Sequence, residues 1–324
     1  MERTSEAADV WCQANHLIKK GGRTLVRRIA DKFSEALERG EFPGNDAQDL
    51  VQGLNLELPK PDGGIKCITI PDSLSVLFSS IMADRLIRAF LETEGIDKAQ
   101  KCNIPKTAGC DDNAFLFLSA LYEYHAAARR GDLDSEVRIF LFVDMAKAFD
   151  RVQWPAINQA IRVILKLPNN MRTAALIKSM YKKTRVIISG GGWATDVEKL
   201  GGILQGDPMS PILFIILLEL VRRQIHPEKR PTIQLRLALT DSATSLRLEL
   251  DYADDQIRGT DSAEKAQEVI DSLVEALRTI GMEYNPEKTK VLALKVKEGV
   301  VTTFNPRQAT EGPQRSRVTN CSIR

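Results

Sequence analysis

Five cysteines and three histidines are all the thiols and imidazoles in this 324-residue chain. Cys12, Cys67, Cys102, Cys110 and Cys321 form no CxxC pair, and His16, His125 and His226 are scattered. That argues against a structural zinc site, and an odd cysteine count argues for a reducing compartment. The first residues, "MERTSEAADV", lack an apolar signal core. The longest greasy run, "PILFIILLELV", falls short of the roughly 20 residues a membrane span needs. The expectation is a soluble, intracellular protein. Charge of one sign is also missing: 45 basic against 43 acidic side chains leave +2. A nucleic-acid site would therefore have to come from local basic clusters, not from the global field.

What is present is the composition of a globular protein, with 43% hydrophobic and 27% charged residues. The length exceeds one ordinary domain. "TLVRRIADKFSEALERG" (24–40) has helical spacing and stops at Gly40. "LNLELPKPDGGIKCITIP" alternates like two strands around a Pro-Asp-Gly-Gly turn. Two helices follow, one starting from Ser73 or Ser75 and one ending at Gly131.

Beyond residue 137 the pattern changes. "VRIFLFVD" is a continuous apolar run of strand length, the mark of a strand buried on both faces. "PAINQAIRVILKL" and "MRTAALIKSMYKK" are helical, and "RVIISGGGWATDVEKL" reads as a hairpin. "SPILFIILLELVRRQI" has Ser210 placed as N-cap and Pro211 at the first helical position. Strand, turn and strand in "SLRLELDYADDQIRG", an amphipathic helix closed by Gly281, and a strand "KTKVLALKV" complete the series. This order suits an α+β fold, a ferredoxin-like sheet with helices on one face.

Asp144 ends the apolar strand, and Asp254 and Asp255 sit at the turn after "LRLEL". Adjacent like charges at the end of a buried strand repel and cost desolvation. An isolated Asp-Asp pair is most often a solvated turn. If the two strands are neighbours, however, three carboxylates converge at one end of the sheet. Hard oxygen ligands so grouped suit two Mg²⁺ or Mn²⁺ ions, about 3.5–4 Å apart, which would supply the missing positive charge.

Four ordered blocks decide between these readings: "FVDMAKAFDRV" (142–152), "GGILQGDPMSPILF" (201–214), "LDYADD" (250–255) and "GMEYNPEKTKVL" (281–292). Together they resemble the palm of reverse transcriptases, most closely those of non-LTR (LINE-type) retrotransposons. Upstream, "ALERGEFPGNDAQDLVQGLNLELPKPDGG" resembles the N-terminal finger segment of that group. The resemblance covers residues 24–296 and implies a polymerase right-hand fold: a ferredoxin-like palm plus fingers, with the thumb absent or reduced to a stub.

It also implies roles. Asp144, Asp254 and Asp255 would hold the metals, and Lys288 in "NPEKTK" would neutralise or protonate departing pyrophosphate, with Lys290 a competing assignment. Asp150 matches an acidic family position but reads equally as a carboxylate favoured by a helix N-terminus. Phe149 would be the steric gate against a ribose 2′-hydroxyl. Gln205 would lie near the incoming nucleotide and template base, where Gly206 lets backbone approach closely. Lys66, with Lys60 a second candidate, stands where the family holds a basic residue against the triphosphate. The usual pattern there reads like Arg-Pro-Ile, and lysine lacks the arginine fork.

The expected layout is an N-terminal extension (1–23), fingers (24–137), a palm (138–295), and a primer-grip-like hairpin turning near Gly299 with a disordered tail (296–324). The implied activity is RNA-directed DNA polymerase, with RNA template, DNA primer and dNTPs as partners. For a eukaryotic retroelement the compartment would be the nucleus. The alternative, motivated by the missing thumb, is an inactive retroelement fragment that folds and binds nucleic acid without polymerising. A maturase-like protein would need a basic helical domain after the palm. An RNA-directed RNA polymerase is disfavoured by Phe149.

Overall fold

The structure, a computed structural model, describes residues 19–42, 52–59, 63, 65–93, 97, 99–133, 136–166, 170–182, 184–190, 193–231, 233–236 and 245–306. In chain order the elements are α1 (Gly22–Arg39), β1 (Gln52–Pro59), β2 (Ile65–Pro71), α2 (Ser73–Glu92), α3 (Cys110–Arg130) and β3 (Val137–Val143). Then come α4 (Ala148–Arg151), α5 (Trp154–Leu165), α6 (Asn170–Lys182), β4 (Arg185–Gly190), β5 (Trp193–Glu198) and α7 (Ser210–Gln224). The last are β6 (Gln234–Arg236), β7 (Ser245–Arg247), β8 (Glu249–Tyr252), β9 (Asp255–Thr260), α8 (Ala263–Thr279), β10 (Lys290–Lys297) and β11 (Val300–Thr303). Among the described residues no helix is long and apolar enough to cross a membrane.

Chain contacts define two compact units, one drawn from Met1–Gly95 and Phe149–Leu220, the other from Ile96–Ala148 and Val221–Arg324. α5 and α6 thus group with the N-terminal elements, and α3 groups with β3.

The first unit holds a four-stranded sheet in the order β2-β1-β4-β5. β1 and β2 are antiparallel, β1 and β4 parallel. α1 ends as its sequence dictates, with Gly40 in the left-handed region and its amide bonded to the Ala36 carbonyl. α2 begins at Ser73, but its cap is Asp72, whose carboxylate accepts from the amides of Leu74 (2.8 Å) and Ser75 (3.2 Å). The shorter hydroxyls of Ser73 and Ser75 lie inside the helix instead. α7 is the unit's core helix: Ile212 to Leu218 are all buried, as a helix apolar all round must be.

The second unit holds a five-stranded antiparallel sheet in the order β11-β10-β3-β9-β8. Without the edge strand β11, this is the ferredoxin-like arrangement expected from the sequence, with the first and third strands central. Helices cover both faces, not one. α3 packs on the face presenting Phe140, Leu250, Leu294 and Val296. α8 crosses the other face over β3 and β9, where Ile139, Leu141 and Val143 need cover. β3 is thus buried on both sides, which is why it reads as a continuous apolar run. β10 and β11 form the expected hairpin, Lys297 pairing with Val300. Both linking residues, Glu298 (φ 51°) and Gly299 (φ 74°), are left-handed, as a two-residue hairpin turn requires. The segment between α7 and β8 forms a short ladder, β6 against β7.

Candidate functional site

Two sets of site residues fall in the two units. In the second, the register of β3 against β9 pairs Val143 with Gln256. Asp144, the next residue, therefore comes alongside Asp255, the first residue of β9. Directly opposed residues in antiparallel strands have Cα atoms about 4.5–5.5 Å apart. Tyr252 pairs with Asp255 across the turn, leaving Ala253 and Asp254 at its tip. Ala253 takes a left-handed φ of 52°, an uncommon conformation for a residue with a Cβ. The backbone thus brings the ends carrying all three aspartates to one end of the sheet.

The turn is held by a segment whose role the sequence did not suggest. The Ala253 amide donates to Gln100 Oε1 at 3.1 Å, which also accepts the Cys102 amide at 3.0 Å. One residue before the turn, Tyr252 is 37% exposed and its hydroxyl hydrogen-bonds with the Cys102 thiol. Burial pushes that thiol above its ordinary value of 9.0, and the nearby charge of Asp254 adds to the effect.

Lys288 belongs to the same end of the sheet. Asp144 and its neighbours are stitched to the segment 283–289. The Asn285 amide donates to the Asp144 carbonyl at 2.7 Å and the Ala146 amide to the Glu283 carbonyl at 2.9 Å. The Asp144 amide donates to the Thr289 hydroxyl at 3.3 Å. Asn285 Oδ1 then accepts the amides of Glu287 (3.2 Å) and Lys288 (3.4 Å), an Asx turn presenting Lys288 to solvent. The competing Lys290 is instead the first residue of β10, paired with Phe142.

In the first unit, one loop joins three of the residues assigned to the nucleotide: Gln205, Gly206 and Phe149. The Thr69 amide, on β2, donates to the Gln205 carbonyl at 2.7 Å. Gly206 has φ 119°, and a Cβ there would lie 2.2 Å from the Thr69 carbonyl oxygen, so only glycine fits. The loop is fixed on its other side by Ile203, whose amide donates to the Phe149 carbonyl at 2.9 Å. Phe149 itself stacks on Phe214 of α7, ring centroids 5.0 Å apart and planes within 15°. Asp150 is exposed and lies 3.7 Å from Lys199. Lys66 is on β2 opposite Leu58, its side chain outside the described residues, and Lys60 lies outside them entirely.

Ser210 is the first residue of α7, and Asp207 braces the turn before it. Its buried carboxylate accepts from the Met209 amide, the Ser79 hydroxyl, Tyr181 (3.1 Å) and Ser210 (3.3 Å). Burial raises its pKa above the ordinary 3.8 despite those bonds, and keeps the fully buried Tyr181 phenol protonated. A polar residue three before a predicted helix was the available signal.

Among the described residues, no three His, Cys, Asp or Glu side chains close into a ready-made metal cage. Magnesium does not require one, since it commonly takes one or two carboxylates, several waters and substrate phosphates. The donors offered, carboxylates alone, fit that chemistry and not a soft metal's.

The fold is that of a polymerase palm with fingers. Solved structures of similar fold include apo telomerase from Candida tropicalis truncated from its C-terminal domain. Its TM-score is 0.54 at 15% identity, covering 79% of this chain and 55% of that one. Telomerase from Candida albicans, in complex with a fragment of telomeric RNA, gives 0.53 at 14% identity over 90% and 50%. The family model for reverse transcriptase (RNA-dependent DNA polymerase) matches residues 58–311. The chain belongs to that family.

Its sequence is 24% identical over 229 residues to the Pol polyprotein of the retrotransposable element R2DM of Drosophila melanogaster, covering 70% of this chain and 19% of that protein. It is 31% identical over 170 residues to the R2 polyprotein of Nasonia vitripennis, covering 51% and 15%. The chain thus spans under a fifth of the length of these two relatives.

Proposed function

We propose that this chain is an RNA-directed DNA polymerase module that adds deoxynucleotides to a primer 3′-hydroxyl on an RNA template. The observation that supports this most is the Val143–Gln256 register, which brings Asp144 alongside the Asp255 end of the turn. An apolar core needs no such meeting of acids, and like charges at one sheet end cost energy without cations.

Asp144, Asp254 and Asp255 would hold two Mg²⁺ or Mn²⁺ ions. Bound there, the ions would supply the positive charge that favours ionisation of the primer hydroxyl and stabilises a leaving pyrophosphate. The remaining work is positioning and electrostatics, as in phosphoryl transfer generally. Lys288 would place a cation near the departing pyrophosphate. Gln205 and Gly206 would hold the nucleotide's base and sugar against backbone, with Phe149 filling the space a 2′-hydroxyl needs. Lys66 or Lys60 would meet the triphosphate. In this reading the fingers comprise residues 24–137, the palm 138–295, and the hairpin from 296 grips the primer.

Primer extension on an RNA template, with Mg²⁺ or Mn²⁺ and separate dNTP and rNTP pools, tests the proposal. Extension with dNTPs alone is expected. Binding of the template–primer without extension in any pool would favour the inactive, nucleic-acid-binding fragment.

A further inference from the structure

A charged ladder runs along one face of the β8–β9 hairpin. Glu249 pairs with Arg258 and Asp251 with Gln256, so all four side chains share a face, and all four are buried. Leu250 and Ile257, on the opposite face, join the α3 core. Arg222, in the last turn of α7, reaches the ladder from outside. Its guanidinium pairs with Glu249 through Nη2, lies 3.3 Å from Asp251 through Nη1 and 3.2 Å from Asp97 through Nε. Arg258 Nη1 meets the other oxygen of Asp251 at 2.5 Å. Arg230 donates to the Arg222 carbonyl at 2.9 Å and lies 3.9 Å from Asp97. Three guanidiniums thus face three carboxylates.

Such a network is a poor source of stability, because desolvating the charges costs about what their pairing returns. It supplies position instead, and what it positions is close by. Asp251 stands three residues before Asp254, and arginines hold both its carboxylate oxygens. Its amide donates to the Ala99 carbonyl at 2.9 Å. Its carbonyl accepts from the Lys101 amide and from Asn113 Nδ2, each at 3.0 Å. Asp251 therefore uses its backbone amide, its carbonyl and both side-chain oxygens, on four separate stretches of chain. It stands one residue before Tyr252, which pairs with Asp255 across the turn.

We infer that Asp251 and Arg222 are positioning residues: a charge clamp that fixes where the Asp254 turn stands beside the end of β3. The clamp thereby sets how tightly the three aspartates bind divalent cations. The reaction served rests on the polymerase reading above; the hold on the turn does not.

Three variants test this: Asp251→Asn, Arg222→Met and Arg222→Lys. The readouts are hydrogen–deuterium exchange of the 248–257 stretch, Mn²⁺ affinity by electron paramagnetic resonance, and extension rate against Mg²⁺ concentration. Asp251→Asn and Arg222→Met should speed exchange at the turn and weaken Mn²⁺ binding about tenfold or more, as loss of a ligand-orienting partner does. The KM for dNTP should be unchanged, and excess Mg²⁺ should partly restore the rate. Arg222→Lys keeps the charge but not the fork, so it should fall between wild type and Arg222→Met. It carries the test if the other two fail to fold. Variants that melt earlier yet keep wild-type turn protection and Mn²⁺ affinity would overturn the clamp. A wild type whose Mn²⁺ binding is lost in Asp254→Asn, but which never extends a primer, would instead sink the polymerase reading and leave the clamp standing.

Discussion

The Asp144 carbonyl accepts the Asn285 amide at 2.7 Å, the shortest of the bonds joining the end of β3 to the segment that presents Lys288. Asn285 and Asp144 are far apart in sequence, yet this bond ties the end of β3 to the segment that carries Lys288. Replacing Asn285 by Ala keeps that bond, which is backbone, but removes the side chain bracing Glu287 and Lys288. A stability loss of about 1 kcal/mol is expected. Lys288→Ala should leave the melting temperature unchanged and lower kcat by about 100-fold, the scale of one positioned proton-transfer group, at unchanged KM. Denaturant melts and steady-state extension kinetics measure both.

Gly206→Ala should be among the most damaging small substitutions in the first unit. The added Cβ would lie 2.2 Å from the Thr69 carbonyl oxygen at a φ of 119°, so β2 and the Gln205 loop must part. A cost of at least about 2 kcal/mol follows from backbone strain alone. Equal stability of variant and wild type in urea melts would contradict this geometry.

Asp207 should make stability depend on pH in a defined direction. Burial raises its folded-state pKa above the ordinary 3.8, so the folded chain holds this proton more tightly than the unfolded chain does. Its contribution is full below about pH 4 and declines as pH rises through the folded value, by no more than about 1.4 kcal/mol per unit. Asp207→Asn should flatten that slope. Asp72, shifted in the same direction by burial, remains in both proteins and cancels. Denaturant melts from pH 4 upward compare the two.

Phe149→Val should relax sugar selection, because the ring that stacks on Phe214 would no longer fill the space beside the sugar. Removing such bulk is worth about 1–3 kcal/mol of discrimination, or about 10–200-fold. Competing dNTP and rNTP incorporation measures it; unchanged selectivity would remove Phe149 from the gate.

The sequence already carried the order of the second sheet, because β3, β8, β9 and β10 are each marked by apolar pattern and turn chemistry. It carried the positions of the aspartates too: Asp144 follows the end of β3, and Asp254 and Asp255 stand at the turn between β8 and β9. It could not carry the ladder of Glu249, Asp251, Gln256 and Arg258. Acidic and basic residues on a strand read as a solvated face until a partner such as Arg222, distant in sequence, is seen to cover them. Nor could it assign the caps. Serine and aspartate compete for that role, and before Ser73 the carboxylate of Asp72 won, with two amides converging on it. Gln100 was silent for a related reason: a neutral side chain bracing a backbone turn leaves no periodic trace.

The central claim is that Asp144, Asp254 and Asp255 act together on one reaction. The most direct measurement is extension of a DNA primer on an RNA template with dNTPs and Mg²⁺, by wild type, Asp144→Asn and Asp254→Asn, beside their melting curves. Each variant should melt as wild type does and lose activity by at least about 100-fold, as removal of preorganised electrostatic groups does. Extension by either variant at the wild-type rate would contradict the account.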